Sequence, residues 1–141
     1  MQINMYIFFN GNCEEAMNYY KGALNGKIES IMRYNDAPMP CPDQQKDKVM
    51  HGVLEVDGTR IYFSDSNDSH TGSEATTKQG GNFAVSLSFK SDDEITKTFN
   101  AISAGGQVTL PLQDMFWGAK FGMCTDKFGV NWMFNCDKPK V

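Results

Sequence analysis

The same punctuation occurs twice along this chain, 79 residues apart, and it limits the fold more than any other feature. In the first copy Ile3 to Phe9 is rich in β-branched and aromatic residues and reads as a strand. Asn12 offers an N-cap with Glu15 three residues on, a capping-box pattern. Ala16, Tyr19, Tyr20, Ala23 and Leu24 follow at helical spacing, and Gly26 ends the helix. In the second copy Asn82 to Lys90 is the strand, and Ile95, Phe99 and Ile102 share one helical face. Ser91, Glu94, Phe99 and Gly105 each stand 79 residues after Asn12, Glu15, Tyr20 and Gly26. Agreement at cap, box, core and stop together is hard to reach by chance.

Each copy continues into a hairpin. Lys48 to Val56, a turn at Asp57-Gly58, and Thr59 to Asp65 make the clearest one. Lys120 to Thr125, a turn around Lys127-Phe128-Gly129, and Val130 to Asn135 make the other. The hairpin glycines Gly58 and Gly129 are 71 apart, so the first half carries eight extra residues after its helix. They fall in Asp36 to Asp47, a loop with three prolines. Ser66 to Gly81, rich in Ser, Thr and Gly, reads as a linker. Each half is therefore β-α-β-β-β: module one at about 1–66, module two at about 82–137, linker at about 66–81. One such unit leaves a sheet face bare, so two must combine. The expected result is a single α+β domain over 1–141, a curved mixed sheet around a cleft with helices outside.

Strand parity then separates two faces. A two-residue turn at Asp57-Gly58 sets Val56 opposite Thr59, Glu55 opposite Arg60, Val53 opposite Tyr62 and His51 opposite Ser64. Leu54, Val56, Ile61 and Phe63 form a greasy face for the helix, while His51, Val53, Glu55, Arg60, Tyr62 and Ser64 form the other. Val85, Leu87, Phe89, Val130, Trp132 and Phe134 alternate in the same way with small or polar residues. The polar, concave side is the candidate site. Glu55 opposite Arg60 reads either as a cross-strand ion pair or as part of a site, and His70 in the linker reads as solvated.

Composition closes off several classes. A net charge of −4 with scattered Lys and Arg gives no surface for nucleic acid. No apolar run approaches the roughly 20 residues of a membrane span, and no leader precedes the first strand, so a cytoplasmic location is expected. Cys13, Cys41, Cys124 and Cys136 fit no zinc spacing and read as reduced thiols; Cys13, at a helix start, is the one with an electrostatic case for reactivity.

Several segments are specific enough to name a relative. They are Phe8-Phe9-Asn10-Gly11-Asn12-Cys13-Glu14-Glu15-Ala16, Met32-Arg33-Tyr34, Val49-Met50-His51, Ser64-Asp65, Phe116-Trp117-Gly118-Ala119-Lys120-Phe121-Gly122 and Asp126-Lys127-Phe128-Gly129-Val130-Asn131-Trp132. On these the chain resembles the PhnB-like branch of the vicinal oxygen chelate (glyoxalase/bleomycin-resistance/dioxygenase) superfamily. Members of that branch often bear a 3-demethylubiquinone-9 3-methyltransferase label. No strand–glycine-rich loop–helix unit with an acidic ribose binder supports methyl transfer, and no cofactor is expected. The resemblance implies metal ligands on the first and last strands of each unit, which fall here on Met5, Tyr62, Ala84 and Met133. None suits zinc, nickel or manganese, so no metal is expected.

Two functions follow. In the first, the chain is a metal-free binding protein for a small organic ligand. Phe9, Tyr62, Phe116 and Trp117 would stack on the ligand, and Arg33, His51, Glu55, Ser64 and Gln113 would orient it. In the second, it is a lyase- or isomerase-type enzyme in which His51 acts as general base on a small carbonyl compound or amine, tuned by Glu55 or Asp65. Phe116-Trp117 is open to a rival reading as core packing. The resemblance also implies a homodimer, its modules pairing within one chain or between two.

Overall fold

A computed structural model describes residues 1–38, 40–65 and 82–138 of the chain. It divides into two compact units, Met1–Lys78 and Gln79–Val141. The linker expected at 66–81, with His70, lies outside the described residues.

In the first unit the order is β1 (Met5–Phe9), α1 (Cys13–Leu24), β2 (Lys27–Arg33), β3 (Val49–Val56) and β4 (Thr59–Asp65). The loop expected between Asp36 and Asp47 holds a short 3-10 turn at Asp43–Gln45, after another at Tyr34–Asp36. The strands lie in the order β1-β4-β3-β2, with β1 parallel to β4 and the other pairs antiparallel. The Asp57-Gly58 hairpin has the expected register: Val56 faces Thr59, Glu55 faces Arg60 and Val53 faces Tyr62. Both turn residues have positive φ, 49° at Asp57 and 85° at Gly58, as a tight two-residue turn demands.

Helix α1 lies on the even-numbered side of β3. A Cβ added at Gly52 would stand 2.5 Å from the Met17 sulfur, so only a residue without a side chain admits the helix there. Ala16, Met17 and Tyr20 from α1 are fully buried with Leu54 and Phe63 of the hairpin. Burial of each large apolar side chain of this kind contributes about 1.5–3 kcal/mol.

The second unit repeats the plan with β5 (Val85–Phe89), α2 (Asp92–Ser103), β6 (Gln107–Asp114), β7 (Ala119–Thr125) and β8 (Asn131–Asp137). Its strands run β5-β8-β7-β6, with β5 parallel to β8. Ile95, Thr98, Phe99 and Ile102 form the buried face of α2, and Phe99 meets Phe134 edge-on at 5.0 Å. The fold class is α+β as expected, built among the described residues from two four-stranded mixed sheets rather than one continuous sheet.

The helix ends differ from the expected repeat. Ser91 caps α2, its hydroxyl accepting from the Glu94 N–H at 3.3 Å. Asn12 makes no such bond to α1. Asp65 takes over instead: its Oδ1 accepts from the N–H groups of Gly11 (2.8 Å) and Cys13 (3.0 Å). At the other end the left-handed position is taken by Asn25, φ 54°, one residue before Gly26.

Candidate functional site

The side of each sheet away from its helix carries the candidate residues. In the first unit, parallel register sets Tyr6 beside Tyr62 and Phe8 beside Ser64, and antiparallel register adds Val53 next to Tyr62 and Met32 next to His51. Residues in register share a face. The result is an aromatic group around one imidazole. Tyr6 and Phe8 stack with ring centroids 4.9 Å apart, and Tyr62 lies 5.9 Å from Tyr6 and 5.3 Å from the His51 ring. The Tyr6 hydroxyl is 2.9 Å from His51 Nδ1. Partial burial raises the Tyr6 phenol above its ordinary pKa, so it stays protonated at neutral pH.

Sequence reasoning nominated three of these residues, Tyr62, His51 and Ser64, and the structure brings them together. Phe9 is a correction. It is 4% exposed and packs against Tyr20 and Phe63 on the helix side, while Phe8, its neighbour, is 51% exposed on the candidate face. Tyr6 was missed for the same reason. Met5 to Phe9 is apolar at every position, so alternation within the strand gave no parity; only pairing with β4 supplies it.

Two charged residues are drawn elsewhere. Arg33 forks onto both carboxylate oxygens of Glu14 at 2.9 Å and holds that carboxyl below its usual pKa. Glu55 sits opposite Arg60 in register yet accepts from the Gly58 N–H at 2.6 Å, and Arg60 pairs with Glu29 at 2.8 Å. The expected Glu55–Arg60 couple is not formed. Asp65 does not tune His51 either, since its Oδ2 accepts from the Val49 N–H and its Oδ1 holds the start of α1. Cys13 is fully buried there, and burial together with the Asp65 and Glu14 carboxylates pushes its thiol far up, which removes the case for a reactive thiolate.

The remaining nominees lie in the second unit. Gln113 pairs with Phe121 across β6 and β7, and the turn between them carries Phe116 and Trp117. Trp117 meets Phe116 at 5.1 Å and Phe121 at 5.8 Å, both edge-on. Phe116 is 96% exposed and Trp117 51%, so core packing is not their role in this unit. At the start of α2 a cavity of about 370 Å³ is lined by Lys90, Asp92, Lys120, Cys136, Asp137 and Lys138. Lys120 is paired with Asp92 and Lys138 with Asp114. It offers no aromatic surface.

The metal positions implied by the resemblance shift by one in β1. Met5 pairs with Ile61 on the helix side, so the residue beside Tyr62 is Tyr6. In the second unit Ser86 stands beside Met133, two residues past Ala84. The cause is a loop: three residues separate β1 from α1 but two separate β5 from α2, so the strands are 80 apart where the helices are 79. Gly11, φ 98°, takes up the extra residue. The corrected set is two phenols, a hydroxyl and a thioether, which does not match the imidazole and carboxylate donors that zinc or manganese requires. Among the described residues no group of three or more His, Cys, Asp or Glu could hold a metal ion.

Comparison with known proteins fits this geometry. Residues 2–134 match the model of the Glyoxalase/Bleomycin resistance protein/Dioxygenase superfamily. The crystal structure of protein PA1353 from Pseudomonas aeruginosa is 39% identical, with a TM-score of 0.87 over 99% of both chains. The PhnB protein of Bacillus cereus, a provisional 3-demethylubiquinone-9 3-methyltransferase, is 26% identical with a TM-score of 0.76, covering 96% of this chain and 99% of that one. Protein YjdN of Escherichia coli K12 is 27% identical over 98% of this chain and 97% of its own. With paired βαβββ units, that match and these PhnB-like neighbours, the chain belongs to the Glyoxalase/Bleomycin resistance protein/Dioxygenase superfamily.

Proposed function

We propose that this protein binds a small, planar organic molecule without a metal, on the face formed by Tyr6, Phe8, His51 and Tyr62. The observation that carries the reading is the cluster itself: the exposed Tyr6 ring lies 4.9 Å from exposed Phe8, 5.9 Å from half-buried Tyr62 and 5.6 Å from the half-buried His51 imidazole, which is 5.3 Å from Tyr62. Rings in this arrangement offer wide contact area at low entropic cost and tolerate varied flat ligands. The corrected phenol, hydroxyl and thioether set supports a metal-free site. Phe116, Trp117, Phe121 and Gln113 form a second aromatic surface that serves the same ligand class. A cytoplasmic homodimer is part of this reading, the latter checked by light scattering; no described helix is long and apolar enough to cross a membrane.

A second reading is kept by one observation, the 2.9 Å contact between the Tyr6 hydroxyl and His51 Nδ1. A positioned imidazole can serve as general base on a small carbonyl compound or amine. Binding takes precedence because neither Glu55 nor Asp65 reaches His51: Glu55 is bonded to the Gly58 N–H and Asp65 to Val49 and the start of α1.

Thermal-shift and calorimetric screening with aromatic drugs and α-ketoaldehydes tests both. Binding predicts a chelator-insensitive shift with flat aromatics, weakened about tenfold or more in Phe8→Ala and Tyr62→Ala. Stoichiometric zinc or manganese in purified protein would reverse the reading. A His51→Ala variant that binds normally but loses turnover on a ketoaldehyde would establish the enzyme instead.

A further inference from the structure

The two units differ where the last strand meets the start of the helix. In the first, β1 and β4 lie in register at Phe9 and Asp65; in the second, β5 and β8 reach the same step at Phe89 and Cys136. Cys136 is therefore the counterpart of Asp65, and both are buried, at 5% and 2% exposure. Asp65 fills its position, its carboxylate accepting from the N–H groups of Gly11, Cys13 and Val49 at 2.8–3.0 Å. A thiol is only a weak acceptor, and Cys136 Sγ faces the Asp137 carbonyl oxygen at 3.9 Å. The cavity of about 370 Å³ lies beside it.

Three charges around that cavity stand where the first unit has uncharged residues. Lys90 follows Phe89 as Asn10 follows Phe9, and Asp92 opens α2 as Cys13 opens α1. Gly122 pairs with Phe134 as Gly52 pairs with Phe63, so Lys120 stands in the place of Met50. An ammonium has three protons to donate. Lys120 gives one to Asp92 Oδ1 at 3.0 Å and one to Thr96 Oγ1 at 3.1 Å, which leaves one without an acceptor among the described residues. Its side chain is 19% exposed and lies in register with Cys136 across β7 and β8. Lys138 is held by Asp114, and the Asp137 carboxylate accepts from the Asn135 amide at 3.1 Å. Lys90 joins no ion pair among the described residues.

We propose that this cavity binds a small oxyanion, the carboxylate or phosphate group of a small molecule, between Lys90 and Lys120, in the place that the first unit fills with its own Asp65 carboxylate. One unit carries the anion within its chain; the other carries ammonium groups, a neutral counterpart to Asp65 and open space. Lysine holds such anions as a point charge, so carboxylate and phosphate both fit. None of these residues belongs to the aromatic face of the first unit, and the two readings stand or fall separately.

The test follows the amide signals of 15N-labelled protein during titration with sodium phosphate and, separately, sodium acetate. Sodium chloride at matched ionic strength is the control, because exposed lysines respond to salt alone. The expected result is a saturable shift at Lys90, Asp92, Lys120 and Cys136 that chloride does not produce, weakened about tenfold or more in Lys90→Gln and in Lys120→Gln. Saturation by phosphate alone assigns the site to phosphates, by acetate alone to carboxylates, and by both to the shared chemistry. Cys136→Asp, which gives the second unit the carboxylate of the first, is expected to abolish the response, and Cys136→Ser to keep it. Shifts that chloride reproduces, or that do not saturate with either anion, overturn the proposal. So does a response that survives both Lys90→Gln and Cys136→Asp. Where Cys136→Asp does not fold, Lys90→Gln decides alone, since this exposed residue holds no ion pair whose loss would disturb the fold.

Discussion

Asp65 and Asp126 each turn a buried carboxylate on three donors. Asp65 serves Gly11, Cys13 and Val49, and so ties the start of α1 to the end of β4 and the start of β3. Asp126 serves the N–H groups of Phe128 and Val130 and, through Oδ2, the Trp132 indole at 2.8 Å. Two of the segments that suggested a family, Ser64-Asp65 and Asp126 to Trp132, are in this structure clasps that set turns. Removing one would orphan buried N–H groups, which is costlier than losing a bond. Asp65→Ala is expected to lower stability by about 3–5 kcal/mol, and Asp65→Asn by about 2 because it keeps one acceptor oxygen. Urea unfolding with an unchanged m-value checks both. A loss under about 1 kcal/mol in Asp65→Ala would mean that water replaces the clasp.

At the scale of elements, the two helices look alike in sequence and begin differently. Ser91 caps α2 with its own hydroxyl, whereas α1 borrows the Asp65 carboxylate from a strand 52 residues away. Ser91→Ala should therefore cost about 1 kcal/mol and Asn12→Ala less than about 0.5, although both fit the same capping pattern. Equal losses would show that Asn12 caps its helix in solution. Pairing also decides what each strand presents. β1 gives Tyr6 and Phe8 to one face and Ile7 and Phe9 to the other, and only its parallel register on β4 says which is which.

For the molecule as a whole, pH sets a window. Burial first, then the neighbouring Asp65 and Glu14 carboxylates, push up the Cys13 thiol; burial and Asp126 push Cys124 up to about 12. The folded chain holds these protons where an unfolded thiol, titrating near 9.0, releases them. Stability thus falls as pH rises above about 9. The Glu14 and Glu29 carboxyls, held low by Arg33 and Arg60, work in the other direction, and their contribution fades as pH drops below about 4.5. Melting temperature should run level between about pH 5 and 9 and decline on both sides. Replacing Cys124 with Ala should soften the alkaline decline; an identical curve would place its cause elsewhere.

The sequence by itself determined the repeated βαβββ plan, the hairpin register and the partition of His51, Tyr62 and Ser64 from the greasy face, because caps, a two-residue turn and strand alternation are local rules. It could not determine the parity of β1, where every residue is apolar, nor the one-residue difference between the loops that precede the helices. The missing parity exchanged Phe9 for Phe8, and the loop difference exchanged Met5 for Tyr6. Tertiary structure alone decided that Arg33, Glu55 and Asp65 would be taken by Glu14, Gly58 and a helix start. The physical reason is that a charged side chain goes to the partner its folded neighbourhood brings within reach, and these contacts join elements whose proximity no local pattern encodes.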